Sequence, residues 1–190
     1  MSYESPVRYE ASRIHAAALY CSDGRLGEHF DDFLQNGLSL PRYDRLCLPG
    51  GPACVAGHPQ AHLEEKGVVD ELHFLVEVHK LRRIVLIAHQ GCAFYATRLD
   101  LKEPRLELLQ RADLVRAAAF VHRVTGLDEI EGYFARIVDG RVRFERVDVG
   151  ASHTADIASP DLDYVSPSQR TPVREAPKPT PMPIDLPRPI

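Results

Sequence analysis

Three short apolar runs in the first half of the chain have the length and composition of buried β-strands. They occupy residues 14–20, 44–48 and 83–88. The third run is apolar at almost every position, which is typical of a strand covered on both faces, as the central strands of parallel sheets are. We therefore predict that 83–88 lies in the interior of a sheet.

Apolar residues at helical spacing predict helices between and after these strands. A first helix begins near Leu26 and stops at Gly37, and a second covers about 62–80. A third opens at Pro104, because proline suits the first turn of a helix, and runs to Gly126. The apolar positions of the first two helices are Leu26, Phe30, Phe33, Leu34, Val69, Leu72, Leu75 and Val76.

The end of this region has the pattern of a β-hairpin. Residues 129–138 and 142–149 flank Asp139–Gly140, a residue pair that favours a tight turn between antiparallel strands. Residues 49–61, rich in glycine and proline, predict a loop. Strands that alternate with helices and end in a hairpin predict an α/β fold, with a mainly parallel central sheet flanked by helices and an antiparallel hairpin at its edge.

The composition changes at about residue 151. Nine of the 15 prolines lie between Pro160 and Pro189. A segment so rich in proline cannot form a helix or a central strand. We predict one domain over residues 1–150 and an extended or disordered tail over 151–190. Two interpretations of this tail stay open: it wraps a partner subunit, or it is mobile.

Charge and hydropathy exclude two classes of partner. The net charge is -4 and there is no long Lys/Arg run, so neither nucleic acid nor an anionic membrane is the expected partner. The longest apolar stretches fall far short of the roughly 20 residues that span a bilayer. The first residues lack the pattern of a secretory signal, so we expect a cytoplasmic protein, whose four cysteines serve as thiols or metal ligands.

Three residues with metal-binding side chains follow two of the predicted strands. Cys21 comes directly after 14–20, and His89 directly after 83–88, with Cys92 three residues further on. Parallel strands end at the same edge of a sheet, so we expect these side chains to meet. Two thiolates and an imidazole suit zinc, and three protein ligands leave a fourth position open, as in catalytic zinc sites.

The residues around these positions resemble a known family. The stretch CSDGR, followed at a distance by HQGC, resembles the Cys-x-Asp-x-Arg and His-x-x-Cys motifs of β-class carbonic anhydrases. The helix before RRIVLIAHQGC and the late hairpin fall where that family places them. The resemblance extends over roughly residues 10–150. Each motif alone is weak, but both in this order, each after a buried strand, form a specific pattern.

The resemblance implies a fold, a cofactor and a reaction. Cys21, His89 and Cys92 would bind Zn²⁺, and Asp23 and Arg25 would form a carboxylate–guanidinium pair beside the metal. Members of the family are dimeric or larger zinc lyases that interconvert carbon dioxide and bicarbonate, with a hydroxide on zinc as the nucleophile. If Arg25 does not hold it, Asp23 could instead become a fourth ligand, and the sequence leaves both arrangements open.

Two departures from the family pattern keep other functions open. The family usually has an Asn-Ala-Gly-Asn loop after its second strand, whereas this chain has LPGGPACVAG over 48–57. Ala93 stands where the family has a glycine. The alternatives are a zinc hydrolase of a related small molecule, such as carbon disulfide or carbonyl sulfide, and a non-catalytic zinc-binding scaffold.

Other residues with reactive side chains have plainer interpretations. We predict that Cys47 and Cys54 are packed or unreactive thiols rather than a second metal or redox pair. We predict that His58 and His62 are exposed loop residues. Phe94 and Tyr95 either line the active site or belong to the core. We expect no chemical role for His73 and His79. Gln90 either donates a hydrogen bond to substrate or caps the turn, and Gly24 and Gly91 let the two ligand loops bend sharply.

Overall fold

A computed structural model describes residues 1–150, and the predicted tail over 151–190 lies outside these residues. Five strands form one sheet in the order β2-β1-β3-β4-β5. The strands are β1 (Ala16–Cys21), β2 (Asp44–Leu48), β3 (Arg83–His89), β4 (Glu129–Val138) and β5 (Arg141–Val147). β3 therefore occupies the middle of the sheet, as its unbroken apolar run predicts.

The pairing of the strands confirms the predicted fold class. β1 pairs in parallel with both β2 and β3, and β3 pairs in parallel with β4. Only β4 and β5 are antiparallel, joined by the turn at Asp139–Gly140. The fold is thus α/β, with a mainly parallel sheet and a hairpin at one edge.

The three predicted helices are present. They are α1 (Gly27–Asp32), α2 (His62–Phe74) and α3 (Arg105–Thr125). A wider π-helical turn extends α1 through Gly37 and α2 through His79, so these helices end where the glycine and the spacing predict. Gly126 ends α3 in a left-handed conformation, with φ of 71°. No helix in the described part of the chain combines the length and apolarity that crossing a membrane requires.

Three expectations about individual elements are wrong. β2 lies at an edge and buries Leu46 alone, because it has a neighbouring strand on only one side. The loop over 49–61 contains two 3-10 helices, Gly51–Val55 and Pro59–Ala61, and the first is completely buried. The apolar stripe of α2 includes Val68 rather than Val69, since α2 turns Val68 toward the core.

The sheet has a hydrophobic cluster on each face, because successive strand residues point to opposite sides. On one face Ile84 and Leu86 of β3 pack with residues of α2 and α3. On the other face Val85 and Ile87 pack with Phe30 of α1. Fully burying one such side chain stabilises a fold by about 1.5–3 kcal/mol. Both clusters hold β1 and β3 side by side, and this fixes where these strands end.

Candidate metal centre

Two of the candidate ligands lie at the ends of adjacent parallel strands. Cys21 is the last residue of β1 and His89 is the last residue of β3. The register pairs Tyr20 with Ile87, so both strands finish at the same edge of the sheet. His89 is thus part of β3 rather than the residue after it, and it pairs with Ala135 of β4.

A tight turn brings the third candidate to the same point. Gly91 has φ of 69°, a conformation that glycine adopts without strain, and the chain turns back there. As a result, the Sγ atoms of Cys21 and Cys92 are 3.8 Å apart. One potential ligand atom from each of Cys21, His89 and Cys92 lies within 4.8 Å of the other two. All three side chains are buried.

The hydrogen bonding of His89 is suited to binding a metal ion. Nδ1 lies 2.9 Å from the carbonyl oxygen of Gln90, so Nδ1–H donates there and Nε2 carries the lone pair. This buried Nε2 has no hydrogen-bond partner among residues 1–150. A buried polar atom without a partner costs about 1–3 kcal/mol. Two thiols and a free imidazole nitrogen together fit a zinc ion.

The two thiols differ in their tendency to ionise. A hydrogen bond from the Cys92 thiol lowers the pKa of Cys21, and His89 and the Gly50 N–H contribute in the same direction. The same thiol–thiol hydrogen bond, followed by burial, raises the pKa of Cys92. The site thus stabilises a thiolate at Cys21, and a thiolate is the form in which cysteine binds a metal.

The unusual Gly-Pro loop packs directly against this site. The backbone N–H of Gly50 donates to Cys21 Sγ at 3.4 Å. Gly50 and Gly51 have φ of 85° and 53°. A Cβ atom on Gly51 would lie 2.7 Å from the carbonyl carbon of Tyr20 and 2.8 Å from the nitrogen of Cys21. This loop therefore needs glycine to approach the end of β1.

Asp23 and Arg25 form the predicted pair. Arg25 donates to Asp23 through Nε at 2.9 Å, Nη2 at 2.6 Å and its backbone N–H at 3.1 Å. These bonds are the main reason why the pKa of Asp23 is lowered to about 2. Asp23 is not one of the side chains whose ligand atoms lie within 4.8 Å of one another. Of the two arrangements left open for Asp23, this structure has the one in which Arg25 holds it.

Aromatic residues after Cys92 surround the thiols. Phe94 and Tyr95 are buried in one cluster with Cys21 and Cys92, so they belong to the core and border the site at once. Gln90 accepts a hydrogen bond from the backbone N–H of Ile137 at 3.0 Å through Oε1. This bond ties the turn after β3 to β4.

Two of the plainer interpretations are corrected. His58 is not an exposed loop residue: its side chain is 14% exposed, and Nε2 lies 2.7 Å from Asp113 Oδ2. His62 is exposed, as predicted, but it is the first residue of α2 rather than a loop residue. Cys47 is not packed: it is exposed on the edge strand β2. Cys54 is buried, as predicted, and burial raises its pKa to about 12. Among the described residues these two thiols belong to no potential metal-binding group.

Two polar residues near the site have no counterpart in the motifs. Gln110 and Asp113 lie on α3 and are 1% and 0% exposed. Gln110 Nε2 donates to the backbone carbonyl of His89 at 2.7 Å, and the Tyr95 hydroxyl donates to Asp113 at 2.7 Å. The sequence could have identified both residues, because they are polar and occupy core-facing positions of the α3 pattern.

Comparison with known proteins gives structural likeness only. No family model matches the chain, and no curated protein matches it. The β-carbonic anhydrase isoform I of Trichomonas vaginalis is 14% identical, with a TM-score of 0.48, over 74% of this chain and 87% of that one. The carbonic anhydrase of Glaciozyma antarctica is 16% identical, with a TM-score of 0.45, over 68% and 80%.

A third structure is the β-carbonic anhydrase CafA of Aspergillus fumigatus, 18% identical, with a TM-score of 0.39, over 73% of this chain and 77% of that one.

Proposed function

We propose that the protein is a carbonic anhydrase-like zinc lyase, which converts carbon dioxide and water to bicarbonate and back. One observation carries the proposal: within the part of the chain that the structure describes, a ring nitrogen of His89 lies within 4.8 Å of two thiol sulfurs, and the buried Nε2 of that ring has no hydrogen-bond partner. Cys21, His89 and Cys92 would hold the zinc ion. When bound, zinc supplies a Lewis acid that brings the pKa of a water molecule toward 7.

The residues beside the ligands supply orientation. Arg25 holds Asp23 in a bidentate pair, and the carboxylate stays ionised because its pKa is lowered to about 2. A fixed carboxylate accepts a hydrogen bond from the attacking oxygen and directs a lone pair of that oxygen at the carbon of the substrate. Cys21, His89 and Cys92 would fill three of the four positions that a zinc ion prefers.

The first test is metal content followed by activity. We expect about one zinc ion per chain in a reduced sample prepared without chelators. Stopped-flow measurements should then show hydration of carbon dioxide. Cys92→Ala should lose both zinc and activity. A wild-type sample that binds no zinc under these conditions would contradict the proposal.

Asp23→Asn separates orientation from metal binding. The amide keeps the shape of the side chain but loses the charge that pairs with Arg25. Because Asp23 is not one of the grouped ligand side chains, zinc content should stay the same. We expect the rate of hydration to fall by about 100-fold or more, the usual range for a positioned acid–base group. Asp128→Asn, far more exposed at 91%, is the matched control and should have the wild-type rate.

A second candidate is a zinc hydrolase of carbonyl sulfide or carbon disulfide. The observation that favours it is the buried loop over 50–55, which contacts Cys21 through Gly50 and would change the shape of the space beside the metal. The same preparation, assayed with these substrates, decides between the two. Zinc content with hydrolysis of carbonyl sulfide, and without hydration of carbon dioxide, would favour the hydrolase.

We also propose that the protein is a homodimer or a larger homo-oligomer. Tyr3, Val7 and Tyr9 are 87%, 79% and 87% exposed. Several exposed apolar side chains in one segment are typical of a surface that another chain covers. Light scattering of the full chain, and of a chain without residues 1–12, tests this. The shorter chain should form an assembly with fewer subunits. The cytoplasmic location stays a prediction from the sequence.

A further inference from the structure

Helix α3 places two polar side chains in the core beside the candidate metal centre. Gln110 and Asp113 are one turn apart and share the buried face of α3 with Leu106, Leu114 and Ala117. A polar group at such a position is costly unless hydrogen bonds satisfy it, and a buried carboxylate is costlier still. Their presence therefore has to be explained by the groups that they contact.

Asp113 accepts hydrogen bonds from three residues. The Tyr95 hydroxyl and His58 Nε2 each lie 2.7 Å from Oδ2. Arg116, one turn further along α3, donates to Oδ1. Burial, and then the negative charge of Asp113, raises the pKa of Tyr95, so its hydroxyl remains a donor.

Two of these donors belong to segments that shape the metal centre. Tyr95 lies three residues after Cys92, in the helical turn that contains Phe94. His58 belongs to the 49–61 loop, in which the backbone N–H of Gly50 donates to Cys21 Sγ. Asp113 therefore holds the turn beside one thiol and the loop beside the other thiol against the same helix.

Gln110 makes the corresponding contact with the third candidate ligand. Its Nε2 donates to the backbone carbonyl of His89 at 2.7 Å. This bond fixes the backbone of His89, the last residue of β3, which carries the imidazole. Since Gln110 and Asp113 belong to one helix of 21 residues, their bonds are held at a constant spacing.

We propose that Gln110 and Asp113 are positioning residues of the metal centre. Through them α3 sets the relative positions of Cys21, His89 and Cys92, although neither residue binds the metal. This inference depends on the metal site of the proposed function and goes beyond it. Loss of a group that orients metal ligands typically weakens metal binding by about 10–100-fold, so effects in this range are expected here.

The test uses Co²⁺ as a probe of the site in the full chain. We would measure Co²⁺ affinity by competition with a chelator, together with the visible absorption of Co²⁺ bound by thiolates. Two variants preserve side-chain size. Gln110→Met removes the donor to His89, and Asp113→Asn removes the charge that holds Tyr95 and His58. Both should bind Co²⁺ about 10–100-fold more weakly and have a changed absorption spectrum.

A control separates positioning from general stability. Val121→Ala opens a cavity on the same helix, at a fully buried residue that takes no part in these hydrogen bonds. It should lower the melting temperature without changing Co²⁺ affinity or the spectrum. Equal losses of affinity in Val121→Ala and Asp113→Asn would overturn the inference.

A milder variant covers the case in which Asp113→Asn does not fold. Tyr95→Phe removes only the hydroxyl that donates to Asp113, and it should weaken Co²⁺ binding in the same way. Tyr133→Phe is its matched control, because that hydroxyl donates to Glu131 instead, at 2.6 Å. Wild-type affinity and spectrum in Tyr95→Phe and Gln110→Met would overturn this inference alone, whereas failure of the wild-type chain to bind Co²⁺ or Zn²⁺ would overturn the proposed function as well.

Discussion

At the scale of single residues, the position of Cys21 depends on Gly51. A methyl group at position 51 would clash with the backbone of Tyr20 and Cys21. The φ of Gly51, 53°, is also strained for any residue with a side chain. We expect Gly51→Ala to lower the free energy of unfolding by more than about 2 kcal/mol. Urea denaturation measures this, and zinc content should fall in parallel because the backbone of Cys21 must shift.

A second glycine provides the comparison. Gly67 lies inside α2, and a Cβ atom there would have no heavy atom within 4 Å. Gly67→Ala should raise the free energy of unfolding by up to about 1 kcal/mol, because alanine favours a helix more than glycine does. A Gly51→Ala variant as stable as Gly67→Ala would show that the loop does not need its glycines.

The four cysteines should differ in their reaction with a thiol reagent. Cys47 is exposed, whereas Cys21, Cys54 and Cys92 are buried. In the folded protein we expect one thiol to react rapidly with Ellman's reagent, and the other three to react only after unfolding in the presence of a chelator. Cys47→Ser should remove the rapid phase without changing zinc content. A rapid phase that persists in this variant would contradict the burial of the other thiols.

At the scale of elements, a network of charged side chains joins α3 to the hairpin. Arg111 contacts Glu107 at 2.9 Å and also pairs with Glu145 of β5. Arg136 of β4 contacts Glu145 at 3.1 Å and also pairs with Glu107. The Arg111 guanidinium also lies 4.6 Å from the centre of the Phe134 ring. These contacts hold α3 over the strand that neighbours β3.

This network predicts sensitivity to acid. Hydrogen bonds from Arg111, and then from Arg136, lower the pKa of Glu145 below its ordinary value of 4.5. A lowered pKa contributes stability above pH 4.5 that is lost as the pH falls through the value in the folded state. Glu145→Gln should therefore have a smaller loss of stability between about pH 5 and pH 3. Urea denaturation across this range measures the difference.

The exposed Glu77 supplies the control for this prediction. Glu77→Gln should have the same pH dependence as the wild type. If Glu145→Gln also followed the wild-type curve, the contacts of Glu145 would contribute nothing to acid stability.

At the scale of the whole molecule, the contacts that the structure describes at the candidate site join distant parts of the chain. They extend from Cys21 to Asp113 along the chain, with Ile137 contacting Gln90. A chain that ends at residue 154 should therefore have the zinc content and melting temperature of the full chain. Atomic absorption and thermal unfolding would check both, and a loss of either would mean that the tail contributes to the site or the fold.

The same truncated chain addresses the two interpretations of the tail. If the proline-rich residues wrap a partner subunit, the truncated chain should form an assembly with fewer subunits than the full chain, as light scattering would show. If the tail is mobile, both chains should form the same assembly. The mass thus decides a question that the sequence leaves open.

Much of this protein follows from local sequence. The apolar run in β3, the stripe of α3 and the Asp139–Gly140 turn each specify their element, because periodicity and turn preference are properties of neighbouring residues. The motifs around Cys21 and His89 specified candidate ligands for the same reason. The sequence by itself therefore determined the strands and the three α-helices, their order and the candidate metal ligands.

Only the tertiary structure decided which distant groups become partners. It placed β2 at an edge, buried the loop beside Cys21 and brought His58 and Tyr95 to Asp113 across 55 and 18 residues of chain. The physical reason is that a buried polar group is satisfied by whatever donor packing brings within hydrogen-bond distance, and no local pattern encodes that donor. The candidate ligands could thus be predicted from the sequence, whereas the residues that we propose to position them required the fold.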